Sequence, residues 1–201
     1  MTLTLDNLDA RYHELFELLG PRKLQVLAFK DFIERETSWL TSPASTRFHL
    51  NIERGLLLHS VGVTYNALSI RTLLAPDVPE ESVVIAALFH DLGKAGCPGK
   101  PYYLRSDVQW EVTKRGMTYK VNPEATTMNL AVRSLHLISN LVELSEGEAQ
   151  ARTQAIVTHH GLCPAAGGVN SLDYHHRECR LQMIVHFADK WTAAVDEEGR
   201  T

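Results

Sequence analysis

Leu88-Phe89-His90-Asp91-Leu92-Gly93-Lys94 decides how the rest of the chain is read. From Val83 to Phe89 every residue is apolar, so a helix made of them is enclosed on nearly all sides. It then ends in an imidazole, a carboxylate, a glycine and a lysine, for which a core helix has no packing reason. Adjacent residues on a regular helix point about 100° apart, so His90 and Asp91 can converge on one ion only near a helix end, where the backbone adjusts. Gly93 offers that adjustment as a helix-terminating C′ residue. The expectation is a metal site at this end of the helix.

Upstream, Asp77-Val78-Pro79-Glu80 reads as a capping box that starts the key helix, with Pro79 in its first turn. Gly55 to Ile70 has helical spacing in two stripes, one of Leu57, Val61, Tyr65 and Leu68, the other of His59, Gly62, Val63 and Asn66. His59 therefore lies beside the core face. Thr41 to Thr46 is a polar break around Pro43, read as a turn. Before it, Asp6 to Leu19 carries a stripe of Leu8, Tyr12, Leu15, Phe16 and Leu19, and Leu24 to Leu40 carries Leu24, Leu27, Ala28, Phe32, Ile33, Glu36 and Leu40 on or near one face. Both are amphipathic helices that cover the core.

Downstream, Tyr102 to Val121 changes character, because Trp110 and Val112, then Met117, Tyr119 and Val121, alternate with polar residues on either side of Lys114-Arg115-Gly116. That is the pattern of a β-hairpin. Leu130 to Leu144 and Ala149 to His159 return to helix, Cys163 to Asn170 is loop, and a last helix runs from about His176 to Val195 with Leu181, Ile184, Val185, Ala188 and Trp191 buried. The fold expected is an all-α helical bundle with a small β-hairpin inserted at about residues 102–121. It forms a single domain over 1–201, with N-terminal helices over 1–40 and the metal-binding core over 41–195.

The chain has 201 residues, 44% apolar and 22% charged, enough for one sizeable core. Its formal charge of −4 carries no basic footprint for nucleic acid or an anionic membrane, so no nucleic-acid or membrane partner is expected. No run suits a membrane span or a signal peptide, and Cys97, Cys163 and Cys179 suit reduced thiols, so a cytoplasmic protein is expected. A homo-oligomer is compatible with this composition. Ten histidines are the compositional anomaly. Two of them, His175 and His176, lie between Cys163 and Cys179, but these four residues are poorly spaced for a structural zinc site.

His59, His90, Asp91 and Asp189 are polar groups in segments that otherwise read as core. A carboxylate buried there alone would cost several kcal/mol or stay protonated, whereas one divalent cation accommodates all four. Asp189 sits between Ala188 and Trp191, with His186 three residues before it as a residue that could orient it.

In this order the four residues resemble the H…HD…D signature of the HD-domain metal-dependent phosphohydrolase superfamily, and Phe89 to Lys94 is close to its HD-x-G-K form. Pro43 to His49, Gly55 to Ser60 and Ile156 to Gly161 also look like segments of small bacterial and phage HD hydrolases, so the resemblance spans roughly residues 38 to 195. It implies an HD-domain bundle whose metal ligands are His59, His90, Asp91 and Asp189. The implied activity is hydrolysis of a small nucleotide, a deoxynucleoside mono- or triphosphate, by attack of metal-bound water. The implied cofactor is a divalent ion, whether Mn, Co, Zn, Mg or Fe, with a second metal depending on His136 and His159 or His160.

Within that resemblance Asp91 also orients the water, Lys94 stabilises the phosphate or the leaving oxygen, and His159 donates a hydrogen bond or relays a proton. Arg133 is a candidate phosphate clamp, and His136, Arg47 and Trp110 are candidate substrate contacts, with Trp110, Tyr102, Tyr103 and Tyr119 able to stack on a base. Two other enzymatic readings, a cyclic nucleotide phosphodiesterase and an HD-type di-iron oxygenase, need a second metal. A non-catalytic nucleotide-binding module remains the reading of another class.

Overall fold

A computed structural model describes residues 3–125, 128–143 and 180–197. The helix expected over 149–159, the loop over 163–170, His159, His160 and the first residues of the last helix lie outside the described residues. The described chain is mainly helical: α1 (Leu8–Glu17), α2 (Lys23–Glu36), α3 (Gly55–Leu74), α4 (Glu80–Leu88), a 3-10 turn (Leu92–Ala95), β1 (Tyr103–Arg105), α5 (Gln109–Arg115), β2 (Tyr119–Val121), α6 (Leu130–Ser139), α7 (Arg180–Trp191) and a π-turn (Thr192–Asp196).

α4 is the axis of the bundle. Ser82 to Leu88 are all buried, and the helix serves two apolar clusters at once. Val84, Ile85 and Leu88 pack with α1, α2, the first half of α3 and α6, while Val83, Ala86 and Ala87 pack with Val63 and Ala67 of α3 and Leu181, Ile184, Val185 and Ala188 of α7. This double enclosure is why its sequence lacks a polar face. Phe89 continues into an aromatic group, edge-on to Phe29 at 5.1 Å and tilted against Trp39 at 5.9 Å, and the Trp39 indole donates to the Tyr12 hydroxyl at 3.0 Å.

Several local expectations are corrected. The capping box does not form: the residue before α4 is Pro79, no side chain caps the helix, and Asp77 instead pairs with Arg180 at 2.7 Å, a partner 103 residues away. Gly93 does not end α4, which closes at Phe89; it lies inside the 3-10 turn, and Gly96 takes the positive φ of 87°. The buried stripe of α2 is Val26, Phe29 and Ile33, and Leu24 is 82% exposed, because the Phe29–Phe89–Trp39 group selects which of two apolar rows turns inward. Trp191 is likewise exposed at 58%.

The β-hairpin is corrected to a two-stranded antiparallel sheet closed by a helix. Its register pairs Tyr103 with Val121, Leu104 with Lys120 and Arg105 with Tyr119. Trp110 and Val112 fall in α5, and Gly116, at φ 63°, ends that helix in the left-handed conformation. Alternation over five residues does not separate a short strand from two helical turns. The sheet is fastened to the loop between α2 and α3, with Asn51 Nδ2 donating to the Gly116 carbonyl at 2.8 Å and the Thr118 hydroxyl to the Asn51 carbonyl at 2.7 Å.

Glu81 ties α4 to the α1–α2 turn. Its carboxylate accepts from the Gly20 and Arg22 amides at 3.1 and 2.9 Å and from the Arg22 guanidinium at 3.1 and 2.7 Å, with both side chains 12% exposed. Burial alone would raise its pKa, but the bonds from Arg22 outweigh it and hold the carboxyl below its ordinary value of 4.5. A depressed carboxylate stabilises the fold above its unfolded pKa and loses that contribution as the pH falls through the folded one. Glu81→Gln is therefore expected to cost about 2 kcal/mol at pH 7 and progressively less as the pH is lowered below 4.5, measured as the difference in urea unfolding between the two proteins. Among the described residues no helix is long and apolar enough to cross a membrane.

Candidate metal centre

Three elements converge where α4 ends. α3 contributes His59, 1% exposed; the turn after α4 contributes His90 and Asp91, 0% and 2% exposed; and α7 contributes Asp189. His59 Nε2 lies 3.1 Å from Asp189 Oδ1 and 3.7 Å from Asp91 Oδ2, and His90 Nε2 lies 3.6 Å from Asp91 Oδ2 and 3.8 Å from Asp189 Oδ1. With metal–ligand bonds of about 2.1 Å, adjacent donors around a four- to six-coordinate ion stand about 3.0 to 3.4 Å apart and opposite ones about 4.2 Å. The four separations fall within that span, and the donor set of two imidazoles and two carboxylates suits zinc, manganese or iron.

The outer partners fit the same reading. His90 Nδ1 sits 2.6 Å from the Ala87 carbonyl, which can only accept, so Nδ1 carries the proton and Nε2 faces the other ligands. His59 Nδ1 sits 2.9 Å from Glu197 Oε1, a buried carboxylate. Burial would depress the His59 pKa, but the Asp189 and Glu197 carboxylates overcome it and raise it to about 10. The same contacts hold Asp189 well below the usual carboxylate range against the opposing effect of burial. Without a cation, then, two positive groups balance the carboxylates: His59, and Lys94, whose ammonium donates to Asp91 Oδ2 at 2.6 Å. Burial works against the charged lysine, yet the Asp91 carboxylate raises its pKa.

The turn that presents His90 and Asp91 is braced from behind by α6. The Gly93 amide donates to Ser134 Oγ at 2.8 Å, and the Arg133 guanidinium donates to the Gly93 carbonyl at 3.0 Å. No side chain fits at Gly93, since a Cβ there would stand 2.1 Å from the Leu130 carbonyl oxygen. Ser42 Oγ donates to the Lys94 carbonyl at 3.0 Å and the Ser38 amide to the Ala95 carbonyl at 3.2 Å, so the α2–α3 loop straps the other side.

The remaining sequence candidates separate from this group. Arg133 is 1% exposed; it bonds the Gly93 and Met128 carbonyls and lies over the Tyr102 ring at 4.9 Å, so it shapes the turn. His136 is exposed on α6, and no group of converging metal-ligating side chains among the described residues includes it. Arg47 is exposed, stacked over Phe48 at 4.7 Å. Trp110 is 60% exposed, with the Arg115 guanidinium 5.9 Å from its ring. His186 is half-buried beside Phe187. Two clefts of about 960 and 540 Å³, one bordered by Arg22 and Glu81 and the other by Leu73, Phe187 and Trp191, are not lined by the four converging residues.

Two further residues enter the centre: His49, which the sequence places with Ser45, Thr46 and Arg47 as able to line the same pocket, and Glu197, which the sequence did not single out. His49, 31% exposed at its side chain, places Nε2 3.7 Å from Glu197 Oε2, with its ring 5.5 Å from that of His59. Glu197 belongs to the acidic run Asp196-Glu197-Glu198, which reads as a solvated tail. Tyr103 is a third neighbour: burial, opposed by the Lys94 charge, raises its phenol to about 12, so it stays a neutral donor at neutral pH. Compared with protein-family models, with curated proteins and with solved structures, the chain matches none.

Proposed function

We propose that this chain is a metal-dependent phosphohydrolase that acts on a small nucleotide, with one divalent cation held by His59, His90, Asp91 and Asp189. The observation that carries the reading is the convergence of these four side chains, from three separate elements, with imidazole–carboxylate distances of 3.1 to 3.8 Å. A cation bound there would acidify water to a pKa of about 7 and offset charge on phosphoryl oxygens.

The chain's own groups have complementary tasks. Asp91, fixed by the braced turn, offers a carboxylate oxygen that can accept a proton from a water aligned for attack. Lys94 is held against Asp91 and supplies a positive charge for a phosphate oxygen or a leaving oxygen. Asp189, 21% exposed at its side chain, His49 at 31% and Lys94 at 14% mark the side from which a phosphate would approach. The choice of a nucleotide rests on the resemblance to HD hydrolases together with the formal charge of −4, which gives no basic footprint for polymers.

The test is a phosphate-release screen of the purified full chain over nucleoside and deoxynucleoside mono- and triphosphates with Mn²⁺, Co²⁺, Zn²⁺ and Mg²⁺, with elemental analysis of the protein alongside. About one equivalent of metal and a release rate that a chelator abolishes and added ion restores are expected. A chain that retains no ion and releases no phosphate under any of these conditions sinks the reading.

A further inference from the structure

We propose that Glu197 is the positioning residue of the metal centre: from a π-turn after α7 it fixes the tautomer of His59 so that Nε2 faces the cation. This rests on the metal reading above. His59 has one nitrogen on each side of its ring, with Nε2 3.1 Å from Asp189 and Nδ1 2.9 Å from Glu197. A carboxylate accepts and does not donate, so the contact with Glu197 puts the proton on Nδ1 and leaves the Nε2 lone pair for the ion. The carboxylate is there at a cost, because Glu197 is 3% exposed and its Oε2 accepts no hydrogen bond among the described residues. Next to it, Asp196 is exposed and shows where a tail glutamate would otherwise point.

What turns Glu197 inward is built into the chain. The helix widens over Thr192–Asp196, and the Glu197 amide donates to the Thr192 carbonyl at 3.0 Å, five residues back. Single π-turns of this kind are rare and occur frequently at functional sites. α3 clamps the turn: Asn66 Nδ2 donates to Thr192 Oγ1 at 2.8 Å and to Asp196 Oδ2 at 2.7 Å. At Gly62 a Cβ would come within 3.2 Å of Thr192 Cγ2, so only a small residue allows this approach. His59, Gly62 and Asn66 are spaced i, i+3, i+7 on one face of α3. The second stripe of this helix thus seats the π-turn through Gly62 and Asn66, and its first member is the imidazole that the turn's carboxylate reaches.

The experiment uses the full chain and Zn²⁺ as the probe, with the dissociation constant read by competition calorimetry and the His59 ring nitrogens by ¹⁵N NMR of the zinc-loaded protein. Glu197→Ala is expected to weaken binding about 10- to 100-fold, and Glu197→Gln, whose amide oxygen still accepts from Nδ1, about 3- to 10-fold. The exposed Asp31→Ala is expected to leave the affinity unchanged. In the wild type, Nε2 shows the metal-bound shift and Nδ1 the protonated one. Should Glu197→Ala fail to fold, the nearly isosteric Glu197→Gln with an unaltered melting transition carries the comparison.

Wild-type affinity in both variants overturns the proposal, as does an equal loss in Asp31→Ala. A metal-bound shift at Nδ1 also overturns it, because Glu197 and His49 would then be ligands themselves. A wild type that binds no zinc removes the metal reading along with the proposal, an outcome distinct from zinc bound with unchanged affinity in the variants.

Discussion

Asp91→Asn is expected to abolish metal retention and to lower phosphate release by at least about a thousandfold, while the protein remains folded. Asp91 Oδ2 is within 3.7 Å of both imidazoles and 2.6 Å from the Lys94 ammonium, so under the proposed function one carboxylate would serve the cation, the water and the lysine. Asparagine preserves the volume and one carbonyl acceptor but removes the charge that makes the site worth a divalent ion. Folding tolerates the change because Asp91 and Asp189 repel each other when no cation lies between them, a repulsion felt as an upward push on the Asp189 pKa. Elemental analysis, phosphate release and a thermal melt on the same preparation make the test. Retained metal with retained turnover would remove Asp91, and with it the centre, from the mechanism.

Gly93→Ala is expected to cost about 3 kcal/mol or more of stability and to take metal binding with it. Its added methyl would stand 2.1 Å from the Leu130 oxygen and 2.9 Å from the Leu130 carbonyl carbon, both backbone atoms that cannot rotate away. Relief requires α6 to back off from the turn, and that movement breaks the bonds of Gly93 to Ser134 and Arg133. Gly116→Ala is the matched comparison. There a methyl meets open space, and only the positive φ of 63° is penalised, so about 1 kcal/mol is expected. Urea unfolding of both variants measures the difference; equal small losses would show that α6 does not brace the turn.

The heart of the site was legible because its chemistry conflicts with its surroundings. His59, His90, Asp91 and Asp189 stand out as polar residues in segments that must be buried, and the structure brings these four together. α1 was legible for the simpler reason that all five residues of its apolar stripe are buried. Elsewhere sequence offered two equivalent choices and the decision lay far away. Asp77 had a capping partner three residues on and an ion-pair partner 103 residues on, and it took the second. Trp110 and Val112 alternate as a strand would, yet the sheet pairs Tyr103–Arg105 with Tyr119–Val121 and leaves the intervening chain to coil. Arg133 reads as a phosphate clamp because its use as a brace depends on carbonyls at Gly93 and Met128. Glu197 escaped notice because the π-turn breaks the 3.6-residue register by which a helix face is counted.

The distance in sequence between His59 and Glu197, 138 residues, has a consequence for how the protein is made. Contacts of such long range form late, since the entropy of closing the intervening chain must be met before they contribute. α1 to α4 can gather their own core while the chain is still being synthesised, but a cation held by these four residues would have no complete coordination shell until α7 and its π-turn have docked on α3. Metal uptake at this centre would therefore report on finished tertiary structure, and an ion present during refolding would act on the last docking step and leave the early collapse unchanged.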